Sequence, residues 1–280
     1  VRFYFDRKRY FLMNILVLGD VMGPSGRTAI KKNLSNIIND HEIGFTIVNG
    51  ENAADDGKGI TRSIAEEFFS QGVDVITSGN HIWDKKEATE FINHEKRLLR
   101  PANLVEGSPG NGYGIYSTKN NKFKVGIINL MGNVFMKKTQ DVFEVAGKIK
   151  DKIILKKNVD FLIVDFHGEI TSEKMAIGHF FDGSSTGVVG THTHVPTADT
   201  RILEKGTGYQ TDIGMCGDYN SVIGMDKENS LKKFLKDKKA ITHFPAKGEA
   251  SLSGIIIEGD QNTGLAKKIT RFIKGGTLKK

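Results

Sequence analysis

A chain of 280 residues with 38% hydrophobic and 26% charged residues can bury a sizeable core and reads as a globular protein without disulfide staples. Its single cysteine, Cys216, excludes an intrachain disulfide and a multi-thiolate zinc site, which fits a reducing cytosol. No apolar run approaches the roughly 18 residues of a membrane span, and the net charge of +7 favours an anionic substrate.

Residues 1–12, VRFYFDRKRYFL, lack the features of a secretory signal and read as an N-terminal arm or extra strand. They also read as a start placed too early, because Met13-Asn-Ile-Leu-Val-Leu-Gly-Asp20 has the look of a natural beginning. From 13 to 280, no long linker, low-complexity tract or repeat interrupts the chain, so one domain is expected.

Asn14 to Leu18 is a short buried strand leading through Gly19-Asp20 and Pro24 into a helix with Ile30, Leu34, Ile37 and Ile38 on one face. Phe45 to Val48 repeats the strand and ends in Asn49-Gly-Glu-Asn52, after which Ser63-Ile-Ala-Glu66 has the form of a capping box. Val73 to Thr77 ends in Ser78-Gly-Asn-His81, and Asp84 to Glu87 reads as another helix start. Lys124 to Leu130 follows as a strand, then a helix from Asp141 to about Lys156, and the strand Phe161 to His167. After a short helix come Thr186 to His194, Leu252 to Glu258 and Ile269 to Ile273 as further strands. Most of the excess charge lies in Leu231 to Lys239 and the tail ending at Lys280, which read as solvated faces because no stacking aromatics interleave them. Early strand–helix alternation followed by adjacent strands predicts two mixed sheets face to face with helices outside, a four-layer α/β/β/α sandwich. Polar strand ends would then meet at one edge, where α/β sheets bind ligands.

Those ends carry ligand-type atoms: Asp20, Glu51 with Asn52, Asn80 with His81, His167, and the pair His192 and His194. Carboxylate and amide oxygen combined with imidazole nitrogen suits manganese, iron or zinc better than calcium. His192 and His194 are two apart on what reads as extended chain, so their rings would project to one side about 6 to 7 Å apart at the backbone. They could then serve two metals. Glu51 and Asn52 can both reach one site only if the chain turns after Gly50.

Gly19-Asp20, Asn49-Gly-Glu-Asn52, Gly79-Asn-His81, His167 and Gly190-Thr-His-Thr-His194 resemble the ordered motifs of the calcineurin-like metallophosphoesterases. Gly50-Glu-Asn-Ala-Ala54, Arg100-Pro-Ala-Asn103 and Thr211-Asp-Ile-Gly-Met-Cys-Gly-Asp218 are similar to the YmdB-type bacterial branch, and the likeness runs from about Met13 to Glu258. The chain departs from the wider superfamily at Met22, where most members place a histidine ligand, and at Glu51, where most have aspartate. Asn52 would replace the lost imidazole.

The resemblance implies Asp20, Glu51, Asn52 and His194 around one metal, and Asn80, His167 and His192 around the other with Glu51 as the bridge. Iron or manganese is expected ahead of zinc. A hydroxide shared by two metals about 3.5 to 4 Å apart would attack phosphorus in line. His81, next to Asn80, would be the general acid. The implied activity is a cytoplasmic phosphodiesterase acting on 2′,3′-cyclic nucleotides or a related RNA substrate, as a homo-oligomer and without a membrane partner. A phosphomonoesterase or phosphoprotein phosphatase would use the same metal pair. A regulatory RNA-binding protein with a structural metal site is the reading from another class, opposed by the free His81 beside the ligands. His41, His94, His179 and His243, outside the motifs, read as ordinary hydrogen-bonding residues, and Cys216 as a buried filler. Asp182 and Asp212, beside glycines, are candidates for substrate contact but stay outside the metal set.

Overall fold

The computed structural model describes residues 12–278, so the expected N-terminal arm lies outside the described residues apart from Leu12. Chain order is β1 (Leu12–Val21), α1 (Gly23–Asp40), β2 (Ile43–Asn49), α2 (Arg62–Ser70), β3 (Val75–Thr77), α3 (Ala88–Phe91) and β4 (Tyr113–Ser117). Then come β5 (Lys124–Met131), α4 (Val142–Lys150), β6 (Phe161–His167), α5 (Thr171–Phe180), β7 (Gly187–Thr191) and β8 (Arg201–Ile202). The chain closes with β9 (Gly208–Gln210), β10 (Met215–Cys216), α6 (Lys227–Phe234), β11 (Leu252–Asp260) and β12 (Ala266–Lys274). One sheet has the order β12-β11-β1-β2-β3, with β10 beside the end of β1, and the other β4-β5-β6-β7-β9-β8. β1, β2 and β3 are parallel, as are β5, β6, β7 and β9, while β11, β12, β4 and β8 run antiparallel to their neighbours.

Period-two alternation assigns the faces of each strand. Ile15 and Val17 of β1, with Phe45, Ile47 and Val75, meet Val125, Ile127, Phe161, Ile163 and Val189 from the opposite sheet. The other face of β1, Leu16 and Leu18, packs under Ile30, Leu34 and Ile37 of α1 and Ile64 and Phe68 of α2. Val142, Ala146 and Ile149 of α4 and Ile177 of α5 cover Leu162, Val164 and Phe166 on the far side. The result is the expected α/β/β/α sandwich of two mixed sheets. Carrying the inner-face parity one step further along each strand reaches Asn49, Thr77, Asn129, Asp165 and Thr191, all polar and buried. The inter-sheet core therefore ends in a polar layer.

Several local expectations need correction. Thr61, not Ser63, caps α2: it is extended and its hydroxyl accepts from the Ile64 amide at 3.3 Å, while Ser63 already lies inside the helix. Such a cap contributes about 1 kcal/mol. Asp84 starts no helix, because its carboxylate is committed to His81, and α3 begins only at Ala88. Asp141 does cap α4, but the helix stops at Lys150, well short of Lys156, which is left-handed at φ 61° in a turn closed by Asn158. The basic run from Leu231 straddles the end of α6, and Leu231, Phe234 and Leu235 are exposed there beside the lysines. Among the described residues no helix is long and apolar enough to cross a membrane.

Candidate metal centre

Parallel strands deliver their C-terminal ends to one edge, which is how residues as distant as Asp20 and His194 become neighbours. After β2 the chain turns, with the Ala53 amide donating to the Gly50 carbonyl at 3.1 Å, and both Glu51 and Asn52 are buried at the site. After β3, a side chain at Gly79 would overlap the His167 ring and the Glu51 carboxylate, so only glycine lets Asn80 and His81 approach. Met22 is buried against the glycine-rich segments around Gly57 and Gly224. It offers nothing to the site. Asn52 instead directs Oδ1 to His194, its Nδ2 being held by the Gly57 carbonyl at 2.9 Å.

The seven side chains fall into two groups. His167 Nε2 lies 2.9 Å from Glu51 Oε1, 3.1 Å from Asn80 Oδ1 and 3.1 Å from His192 Nδ1. His194 Nε2 lies 3.2 Å from Asn52 Oδ1 and 3.9 Å from Asp20 Oδ1, and that same Asp20 oxygen is 3.7 Å from His167 Nδ1.

These residues fit transition-metal ions on three grounds. One imidazole nitrogen cannot donate its proton to three acceptors, whereas spacings of about 3 Å are what donors show on adjacent positions of a metal with bonds of about 2.1 Å. Asp20 Oδ1 is buried without any hydrogen-bond partner. The charges also call for a cation. Burial pushes the Asp20 carboxyl up to about 6, against the pull of His194 and His167. Burial works against the charged forms of Glu51 and His167 as well, but their mutual attraction outweighs it, lowering Glu51 to about 2 and raising His167 to about 9. His192, buried and next to that charge, drops to about 3. Metal-free, the cluster thus keeps an imidazolium among its carboxylates, a proton that a bound metal must displace.

The second nitrogen of each ligand-type histidine is also engaged, which fixes the nitrogen left for the cluster. His192 Nε2 is 3.2 Å from Glu169 Oε2, His194 Nδ1 is 2.7 Å from the Ile223 carbonyl, and His167 Nδ1 is 3.0 Å from Thr191 Oγ1. None of these three partners was expected from the sequence. Glu169 stands two residues after His167 and could have been noticed; a main-chain carbonyl leaves no trace in sequence.

The expectation of an extended His192–His194 segment is wrong. β7 ends at Thr191, and His192 and His194 are left-handed, at φ 99° and 66°. Hydrogen bonds hold this unfavourable backbone in place: the His192 amide donates to Asp20 Oδ2 and the Thr193 amide to Asp212 Oδ2, both at 3.1 Å. Asp212 is itself buried and paired with Lys174 at 2.6 Å, so it braces the histidine loop rather than facing a substrate. Removing one partner of such a pair typically costs about 3–5 kcal/mol.

His81 sits at the open side of the cluster. Its amide donates to Glu51 Oε2 at 3.0 Å and its Nδ1 lies 2.7 Å from Asp84 Oδ2, so it is paired rather than free. Nε2 has no protein partner among the described residues. Lys137 Nζ donates to the Asn80 carbonyl at 2.6 Å and lies 3.9 Å from Asp84. The remaining candidates lie elsewhere: His41 stands edge-on to Phe272, and Asp182 accepts from the Lys205 and Thr207 amides in a turn. Cys216 is buried, its thiol pushed up to about 12 by desolvation, as suits a core filler.

A family profile described as "YmdB-like protein" matches residues 16–272. The chain is 44% identical over 261 residues, 93% of this chain and 97% of the relative, to a Bacillus subtilis protein named 2′,3′-cyclic-nucleotide 2′-phosphodiesterase. It is 40% identical, over 90% of this chain and 89% of the relative, to a putative phosphatase/phosphodiesterase of Mycoplasma pneumoniae. Among solved structures, a Mycoplasma pneumoniae protein titled a novel phosphatase superimposes with a TM-score of 0.85 at 37% identity, covering 94% of this chain and 93% of that one. Matches of this extent, on a fold and a strand-edge cluster that agree with the motif resemblance, place the chain: it belongs to the YmdB-like family.

Proposed function

We propose that the protein is a metal-dependent phosphodiesterase that binds two transition-metal ions, iron or manganese ahead of zinc, and opens 2′,3′-cyclic nucleotides. The observation that carries this reading is the ligand cluster divided into two groups at one sheet edge. Asp20, Asn52 and His194 would hold one ion, Asn80, His167 and His192 the other, and Glu51 would stand between them. The name of the Bacillus subtilis relative supports the substrate class. When bound, such a metal pair supplies Lewis-acid charge for phosphoryl oxygens and lowers the pKa of water towards neutrality.

The chain's own part is to place an acid opposite the nucleophile. Asp84 accepts the Nδ1 proton of His81 and leaves Nε2 as the nitrogen that can give a proton to the departing alkoxide. As the phosphorus–oxygen bond breaks, its electron pair stays on that oxygen and the Nε2 proton neutralises it. A five-membered cyclic phosphate already strains its ring oxygens towards in-line departure, so few further substrate contacts are required. Its single negative charge suits a cationic centre that must also accommodate a nucleophile, whereas a monoester dianion competes more strongly for the metals.

The Mycoplasma pneumoniae proteins titled as phosphatases favour a phosphomonoesterase as the second reading. Chromatography of adenosine 2′,3′-cyclic phosphate turnover, beside a phosphoserine peptide and nitrophenyl phosphate, separates the two. The expected result is a nucleoside monophosphate formed faster than phosphate is released from either monoester, and loss of all turnover with a chelator. Faster phosphate release from the monoesters would replace the diesterase reading with the second one.

A further inference from the structure

Asp165 interrupts the apolar strand Phe161-Leu-Ile-Val-Asp-Phe-His167 and is buried between the sheets, with no lysine or arginine paired to it among the described residues. Three neutral donors surround it. Oδ2 accepts from the Thr77 hydroxyl and, at 3.2 Å, from Asn49 Nδ2; Oδ1 accepts from the Thr191 hydroxyl at 2.7 Å. These donors belong to β3, β2 and β7, so one carboxylate ties together four strand ends from both sheets. Every tie lies just before proposed ligands: Asn49 before Glu51, Thr77 before Asn80, Asp165 before His167, and Thr191 before His192. Asn49 also accepts from the Glu51 amide at 3.2 Å. The preceding inner-face position on β6, Ile163, is simply apolar. A buried carboxylate without a cation is a costly way to fill such a layer.

The direction of the hydrogen bonds matters most at Thr191. Its single proton goes to Asp165, so towards His167 Nδ1, 3.0 Å away, its oxygen can only accept. Asp20 Oδ1, at 3.7 Å from the same nitrogen, is beyond hydrogen-bond reach. His167 therefore carries its proton on Nδ1 whenever Nε2 presents a lone pair to the cluster.

We propose that Asp165 is a positioning residue of the metal centre, pinning four strand ends and, through the Thr191 hydroxyl, holding His167 in the tautomer that offers Nε2 to a metal. This rests on the metal reading of the site but not on any particular substrate.

Calorimetric titration of the metal-free protein with manganese(II) tests it. Thr191→Val removes one hydroxyl while keeping the shape, and weakening of about 10–100-fold in affinity for the ion at His167 is expected, the usual effect of losing an outer partner of a ligand histidine. Thr191→Ser returns the hydroxyl and should restore most of that affinity. Asp165→Asn, which leaves one of the three donors without an acceptor, should weaken binding at least as much as Thr191→Val. If Asp165→Asn fails to fold, the valine–serine pair still decides the matter. Lowered melting temperatures with unchanged manganese affinity, or a serine variant that rescues nothing, would overturn the proposal and leave Asp165 a purely structural residue. Because the readout is metal binding, failure of the cyclic-phosphate assay would sink the substrate reading alone.

Discussion

Glu51→Gln is expected to remove bound metal and turnover together. Glu51 is buried, with Oε1 at 2.9 Å from His167 Nε2 and Oε2 accepting from the His81 amide at 3.0 Å, so it touches both the ligand cluster and the acid's backbone. Glutamine keeps the volume but removes the charge that best matches a cation, and it turns an amide nitrogen towards neighbours that need an acceptor. The drop in metal affinity should exceed the roughly 10–100-fold typical of partners one layer further out. Metal content measured by elemental analysis and turnover measured on the same sample should fall in step. Retention of full metal and full rate in Glu51→Gln would show that Glu51 is not the residue between two ions.

His81→Ala separates chemistry from metal binding. The His81 side chain contacts Asp84 rather than the ligand groups, and the amide that reaches Glu51 survives the substitution. Metal content should stay near wild type while kcat on a cyclic nucleotide falls about 10²- to 10⁴-fold, the range of general acid catalysis. A nitrophenolate leaves without needing a proton, so the loss on a nitrophenyl diester should be much smaller. An equal loss on both substrates would argue that His81 positions substrate instead of protonating the leaving group.

Much of this was legible from residue order because parallel strands carry their ends to a common edge: once Asp20, Glu51, Asn80 and His167 each follow an apolar run, convergence is forced by topology. The turn after Gly50 was also forced, since neighbouring side chains on a straight strand diverge. What escaped was conformation set by tertiary partners. Thr-His-Thr-His reads as alternating strand, yet the Asp20 and Asp212 carboxylates bend it into left-handed backbone, and both lie far from it in sequence. The capping error has the same character: Ser63 matches a local pattern, but the burial of Ile60 and the extended Thr61 start the helix two residues earlier. Asp165 was visible as a charge in an apolar strand, and only its three donors, from three other strands, give it meaning.

The central claim is that one sheet edge holds two metal ions, and anomalous diffraction from crystals of the protein loaded with manganese(II) tests it most directly. Two peaks per chain are predicted, one bounded by Asp20, Asn52 and His194, the other by Asn80, His167 and His192, with the Glu51 carboxylate between them. A single peak, or ions bound away from these seven side chains, would contradict the account.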